Sequence, residues 1–181
     1  MAKQLPAISD HLRAFIEAQP LFFVGTAAPD GRVNVSPKGL DSLRVLGPTQ
    51  VVWLNVTGSG NETAAHLLQT PRMTLMFCAF QGPPLILRLY GQAQMLQPGD
   101  DGWDTLLALF PALPGTRQLF VLEVDLVQTS CGMAVPLMTI EGQREDLNRW
   151  AERQTPEDLT AYRERKNTLS IDGFPTGLPR R

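Results

Sequence analysis

From Val51 to Phe80 the chain reads VVWLNVTGSGNETAAHLLQTPRMTLMFCAF, and this stretch limits the available folds more than any other. An apolar strand, Val51 to Val56, runs into a Gly/Ser-rich turn, Thr57-Gly58-Ser59-Gly60-Asn61. A short helix follows, stopped by Pro71, and then a second strand, Met73 to Phe80. A strand entering a helix through a glycine turn leaves backbone N–H groups unpaired at the positive end of the helix, which suits a phosphate. The hydroxyls of Thr57, Ser59 and Thr63 offer further donors. The structural alternative is simple capping, with Ser59-x-x-Glu62 as a capping box and Gly58 and Gly60 permitting the turn.

The flanking segments carry the same short-strand rhythm. Ile8, Leu12, Phe15 and Ile16 recur at helical spacing over residues 8–18, with Ser9 or Asp10 as cap and Pro20 as terminator. Leu21–Val24 is a buried strand. Pro29-Asp30-Gly31 is a turn, and Arg32–Ser36 alternates as a strand with one wet face. Pro37-Lys38-Gly39 is expected to break that alternation. Residues 43–46 form a short strand, 85–96 a long one with a bulge at Gly91, 100–110 a helix and 119–127 a last strand. The expected fold is mainly β with α: an antiparallel split β-barrel with flanking helices.

From Glu141 the character changes. Leu147, Trp150 and Ala151 mark one helix. Thr155-Pro156-Glu157-Asp158 caps another, which ends basic at Arg163, Arg165 and Lys166. The expected division is a barrel over residues 1–140 and a C-terminal helical hairpin over 141–181 packed on it, with residues 172–181 as loop.

Composition removes some functions. At 181 residues, with 43% hydrophobic and 19% charged residues, the chain has the makeup of one folded domain with an appendage. A formal charge of −2 argues against a nucleic-acid partner. No apolar run is long enough to span a bilayer, and no signal-peptide pattern opens the sequence, so no membrane partner and a cytoplasmic setting are expected. Two cysteines, Cys78 and Cys131, form neither a disulfide framework nor a metal pair. Cys131 reads as structural, because no base is tied to it by spacing, and His66 reads as exposed or modestly packed within its helix. No metal cluster is expected.

Two rows of polar side chains are candidates for binding. Asn34, Ser36 and Lys38 alternate along one strand and therefore share a face, which is either solvated or suited to a polar heterocycle or a phosphate. Arg88 and Tyr90 share a face opposite Leu87 and Leu89, where a surface row is the simpler reading and an anion partner for Arg88 the functional one.

Taken in order, GRVNVSPKG, the stretch from Val51 to Phe80, and ILRLYGQAQML resemble the FMN-binding split barrel of the pyridoxamine 5′-phosphate oxidase family, in its branch of oxidase-related flavoproteins. The resemblance covers residues 20–128, with SCGMAVP and the helical tail similar to that branch. It implies a homodimer with FMN at the subunit interface. It further implies that Asn34, Val35, Ser36, Pro37 and Lys38 line the flavin edge, that Leu54 and Asn55 touch the ring, and that Ser59, Asn61 and Thr63 meet the phosphate. Arg88 and Ser130 are added as an anion partner and a donor near the ring. Related oxidases place a basic pair near the helix start, where Glu62 and Thr63 stand here. The C-terminal Trp, Arg and His motif of the true oxidases is missing, so pyridoxamine-phosphate oxidation is not expected.

The resemblance thus points to an FMN-dependent oxidoreductase acting on a small organic substrate, with no catalytic residue assigned. The alternative from another class is a non-catalytic flavin- or haem-binding split barrel.

Overall fold

The computed structural model describes residues 2–178. Eight strands form one antiparallel sheet in the order β3-β2-β6-β7-β8-β5-β4, with β1 (Lys3–Leu5) added along β8. The ranges are β2 Phe22–Thr26, β3 Asn34–Lys38, β4 Leu43–Gly47, β5 Gln50–Val56, β6 Arg72–Cys78, β7 Ile86–Leu96 and β8 Thr116–Ser130. This is the split barrel that the strand rhythm predicts.

Alternation explains what fills it. The inward faces bring Phe22, Val24, Trp53, Leu75, Phe77, Leu87, Leu89, Phe120 and Leu122 into one core. Within it Trp53 stacks on Phe120 at 4.9 Å and meets Phe22 edge-on at 6.3 Å. Helix α1 (Asp10–Glu17), capped by the Ser9 hydroxyl, covers the core with Leu12 and Ile16. The other face of β5 and β8 carries Val52, Leu54 and Leu119, which pack with Trp103 of α3 (Trp103–Leu107) into a second cluster. Burying such side chains contributes roughly 1.5–3 kcal/mol each, so the alternation sets both faces.

Gly91 sits where the β7–β8 register shifts after Tyr90. A Cβ there would lie 1.9 Å from the Glu123 carbonyl oxygen, so the close approach of β7 to β8 requires glycine.

Pro37 does not break its strand, contrary to expectation. It pairs with Phe23 inside β3, which hydrogen-bonds only to β2 and therefore leaves one side free of ladder bonds, where proline is tolerated. The strand β8 begins three residues earlier than the alternation suggested, at Thr116.

Helices α4 (Asp146–Glu152) and α5 (Pro156–Lys166) form the C-terminal hairpin, with Trp150 and Tyr162 in contact at 5.0 Å. Thr155 and Asp158 make the capping box, and Pro156 opens the helix. Arg163 anchors α5 to the barrel, donating to the Thr57 hydroxyl at 2.8 Å and to the Thr116 carbonyl at 3.0 Å. The chain beyond α5 is irregular but tied down: Leu169 bridges Pro175, Thr176 is buried, and Asp172 holds the backbone and guanidinium of Arg32. Residues 179–181 of the expected loop lie outside the described residues.

Candidate functional site

A cavity of about 300 Å³ opens where the β3 margin approaches β5 and the turn that follows it. One wall is the row Asn34, Ser36 and Lys38, the second is Trp53, Asn55 and Val56, and the third runs from Gly58 through Thr63 into α2 (Glu62–Leu67). Arg117 of β8 completes the lining.

Of the residues singled out from sequence, Asn34, Ser36, Lys38, Asn55, Ser59, Asn61 and Thr63 meet in this cavity. Val35 and Pro37 occupy the opposite, exposed face of β3, and Leu54 lies in the second core cluster. Period two sends alternate side chains to opposite faces, which separates Leu54 from Asn55. Arg88 and Ser130 bond each other at 3.2 Å across β7 and β8, and neither lines the cavity.

The electrostatics come from two cations. Arg117, only 3% exposed, donates to Asn167 Oδ1 at 2.6 Å and to the Gly60 carbonyl at 3.2 and 3.3 Å, while its Nε–H has no partner. Burial pulls its pKa down to about 9, and the neighbouring Arg163 charge adds to this. Lys38 places Nζ 4.9 Å from the Trp53 ring centroid. Desolvation, followed by repulsion from Arg117, lowers its pKa to about 8. None of the ion pairs among the described residues includes either cation. A buried Arg117 and a half-buried Lys38, neither paired with an acid, are costly unless an anion joins them.

The neutral groups point the same way. Asn61 is buried with both amide atoms unpartnered, and it makes no side-chain cap for α2. The Ser59–Glu62 capping box does not form. Asn61 occupies the N-cap, and the Glu62 carboxylate accepts the Ile171 N–H at 3.1 Å. With six residues in α2, the positive potential of the cavity belongs to Arg117 and Lys38 more than to a helix dipole. Thr57 is also committed, donating to the Gly115 carbonyl at 2.8 Å.

One further sequence expectation is corrected. His66 is buried, with Nδ1 3.1 Å from the Thr26 hydroxyl; α2 packs flat on β2, and its small neighbours Ala64 and Ala65 allow that approach. Thr26 is reached in turn by Asn34 Nδ2 at 3.4 Å. Cys131 is exposed, because it follows the end of β8, whereas Cys78 is buried. Arg117 was not singled out from sequence. Its available signal was Thr116-Arg117-Gln118, a polar lead-in continuous with the apolar run of β8.

No group of metal-ligating residues occurs among the described residues, and no helix there is long and apolar enough to cross a membrane.

A split barrel with a cation-lined cavity beside its open margin is the class of protein these features define. Residues 8–131 match the pyridoxamine 5′-phosphate oxidase family, and the chain belongs to it. The family protein ustO of Aspergillus flavus is 36% identical over 93% of this chain and 75% of its own length. Among solved structures, HupZ of Group A Streptococcus superposes with a TM-score of 0.56 at 17% identity, covering 68% of this chain and 99% of that one. A putative pyridoxamine 5′-phosphate oxidase of Lactobacillus delbrueckii gives 0.55 at 20% identity, covering 68% and 94%. At those identities the two structures speak to the fold.

Proposed function

We propose that this chain is an FMN-dependent oxidoreductase that acts on a small organic substrate as a homodimer. One observation carries the reading: Arg117, Lys38 and Asn61 bring two unneutralised cations and an unpartnered amide to one cavity. A phosphate monoester supplies what they lack, since it carries up to two negative charges and several acceptor oxygens. The donor set therefore fits the phosphate end of FMN. In this reading Arg117 and Lys38 take the part of the basic pair that Glu62 and Thr63 do not supply.

The bound flavin would provide hydride or electron transfer, as such cofactors do. Arg117 and Asn61 hold the phosphate, and the row from Asn34 to Lys38 orients the ring edge. Lys38, titrating near pH 8, can hold or release a proton at Nζ under working conditions. Membership of the oxidase family supports a flavin.

The test is an absorption spectrum of the protein titrated with FMN, followed by mixing with reduced nicotinamides. Saturable binding that Lys38→Ala or Thr63→Ala weakens, with bleaching of the flavin band by a reductant, is the expected result. Absence of binding removes the proposal. A second reading, flavin binding without turnover, is favoured by the state of Glu62. It is the one carboxylate of the cavity lining and is already held by Ile171. Tight binding with no reduction by any donor decides for it.

A further inference from the structure

The family match ends at residue 131, yet the cavity's buried arginine is held by a residue 36 positions later. We propose that Asn167, delivered by the C-terminal hairpin, is a positioning residue that aims Arg117 at the anion and leaves its charge available. This rests on the FMN reading above.

Asn167 is fully buried at the end of α5, and each of its polar groups is engaged. Its Oδ1 accepts from Arg117 at 2.6 Å, and its Nδ2 donates to the Gly58 carbonyl at 3.0 Å. Its backbone N–H reaches the Arg163 carbonyl at 2.7 Å, and its carbonyl accepts from the buried Thr176 hydroxyl at 2.5 Å. One amide thus spans the guanidinium and the glycine turn, fixing the distance between two parts of the lining. Both terminal nitrogens of Arg117 bond Asn167 or Gly60, and Nε is the one guanidinium nitrogen left with no partner, on a residue that lines the cavity.

The chemistry of position 167 matters as much as its place. A carboxylate there would also accept from Arg117, but it would neutralise the charge that an anion needs. A neutral amide orients the fork and leaves it cationic. The hairpin is therefore part of the binding site, acting through Arg117, and Arg163 fastens it to the turn at Thr57.

Affinity for FMN against riboflavin, which lacks the phosphate, separates positioning from general support. Asn167→Ala removes both contacts. Asn167→Asp keeps an acceptor for Arg117 and serves as the folded variant if the alanine protein does not fold. Thr155→Ala, which removes the α5 cap far from Arg117, is the control for lost helix stability. The expected result is a roughly tenfold or greater fall in the FMN-to-riboflavin affinity ratio for both Asn167 variants and an unchanged ratio for Thr155→Ala. The melting-temperature rise caused by inorganic phosphate should shrink in parallel. Asn167 variants that retain the wild-type ratio and phosphate response overturn the positioning role while leaving the FMN reading intact. A wild-type protein that responds to phosphate but binds no flavin overturns the FMN reading alone, and the phosphate response of the variants then decides the role of Asn167. A wild-type protein that binds neither overturns both.

Discussion

Lys38 Nζ lies over the Trp53 indole at 4.9 Å, although their strands, β3 and β5, are not hydrogen-bonded neighbours. The contact joins the margin of the sheet to its aromatic core and places a cation against a ring that is itself stacked on Phe120. A charged ammonium is attracted to the ring face, and a neutral amine is not.

Deprotonation of Lys38 should therefore be visible at Trp53. Lys38 is lowered to about 8 by burial and by the Arg117 charge. Tryptophan emission is expected to change with a midpoint near pH 8, and Lys38→Met should abolish that transition. A titration that looks the same in both proteins contradicts the contact.

Stability of the ligand-free protein should rise with pH from about 8 upward. The folded pKa of Lys38 lies below the ordinary lysine value of 10.5, so between about 8 and 10.5 the unfolded chain binds the extra proton. Below that window both states are protonated and the desolvation cost is fully present. Arg117, lowered to about 9, acts in the same direction at higher pH. Inorganic phosphate should offset the cost near pH 7 and lose its effect as Lys38 discharges. Thermal melts from pH 7 to 10, with and without phosphate, check both halves.

Arg117→Gln should weaken FMN binding by roughly tenfold to a hundredfold, the range for a lost charge-assisted hydrogen bond, and leave riboflavin binding nearly unchanged. Flavin fluorescence titrations read this directly. Equal losses for the two ligands would place Arg117 away from the phosphate.

Gly91→Ala should destabilise the protein by about 3 kcal/mol, at the upper end for overpacking, because the added methyl meets the Glu123 carbonyl at 1.9 Å. Denaturant unfolding measures it. An unchanged midpoint would mean that β7 and β8 can separate there at little cost.

Strand rhythm made the barrel legible, since period two records which face of each strand is wet. Gly91 was legible for the same reason: a glycine inside an eleven-residue alternating strand marks a break in register. The row Asn34, Ser36 and Lys38 could be seen as one face, but its neighbours in space could not. Arg117 escaped notice because a charged residue at the head of a strand looks solvated, and its burial depends on Asn167, 50 positions away. Ser59-x-x-Glu62 has the spacing of a capping box, yet Ile171 claims the Glu62 carboxylate from the far end of the chain. Local pattern carries short-range preferences, and these features were decided by distant partners. Arg88 and Ser130 show the same limit: the facing of their side chains could be read, but not that they bond each other outside this cavity lining.

The edge position of β3 has a consequence for the cavity. The strand bearing Asn34, Ser36 and Lys38 hangs on β2 alone, five residues wide, with Pro37 denying a further partner one of its anchor points. Its outer edge carries no ladder bonds, and its inner side chains are what tie it across to Trp53 and Thr63. The wall that carries the polar row is thus the rim of the sheet, while the buried arginine of the same cavity is held by an asparagine from the far end of the chain.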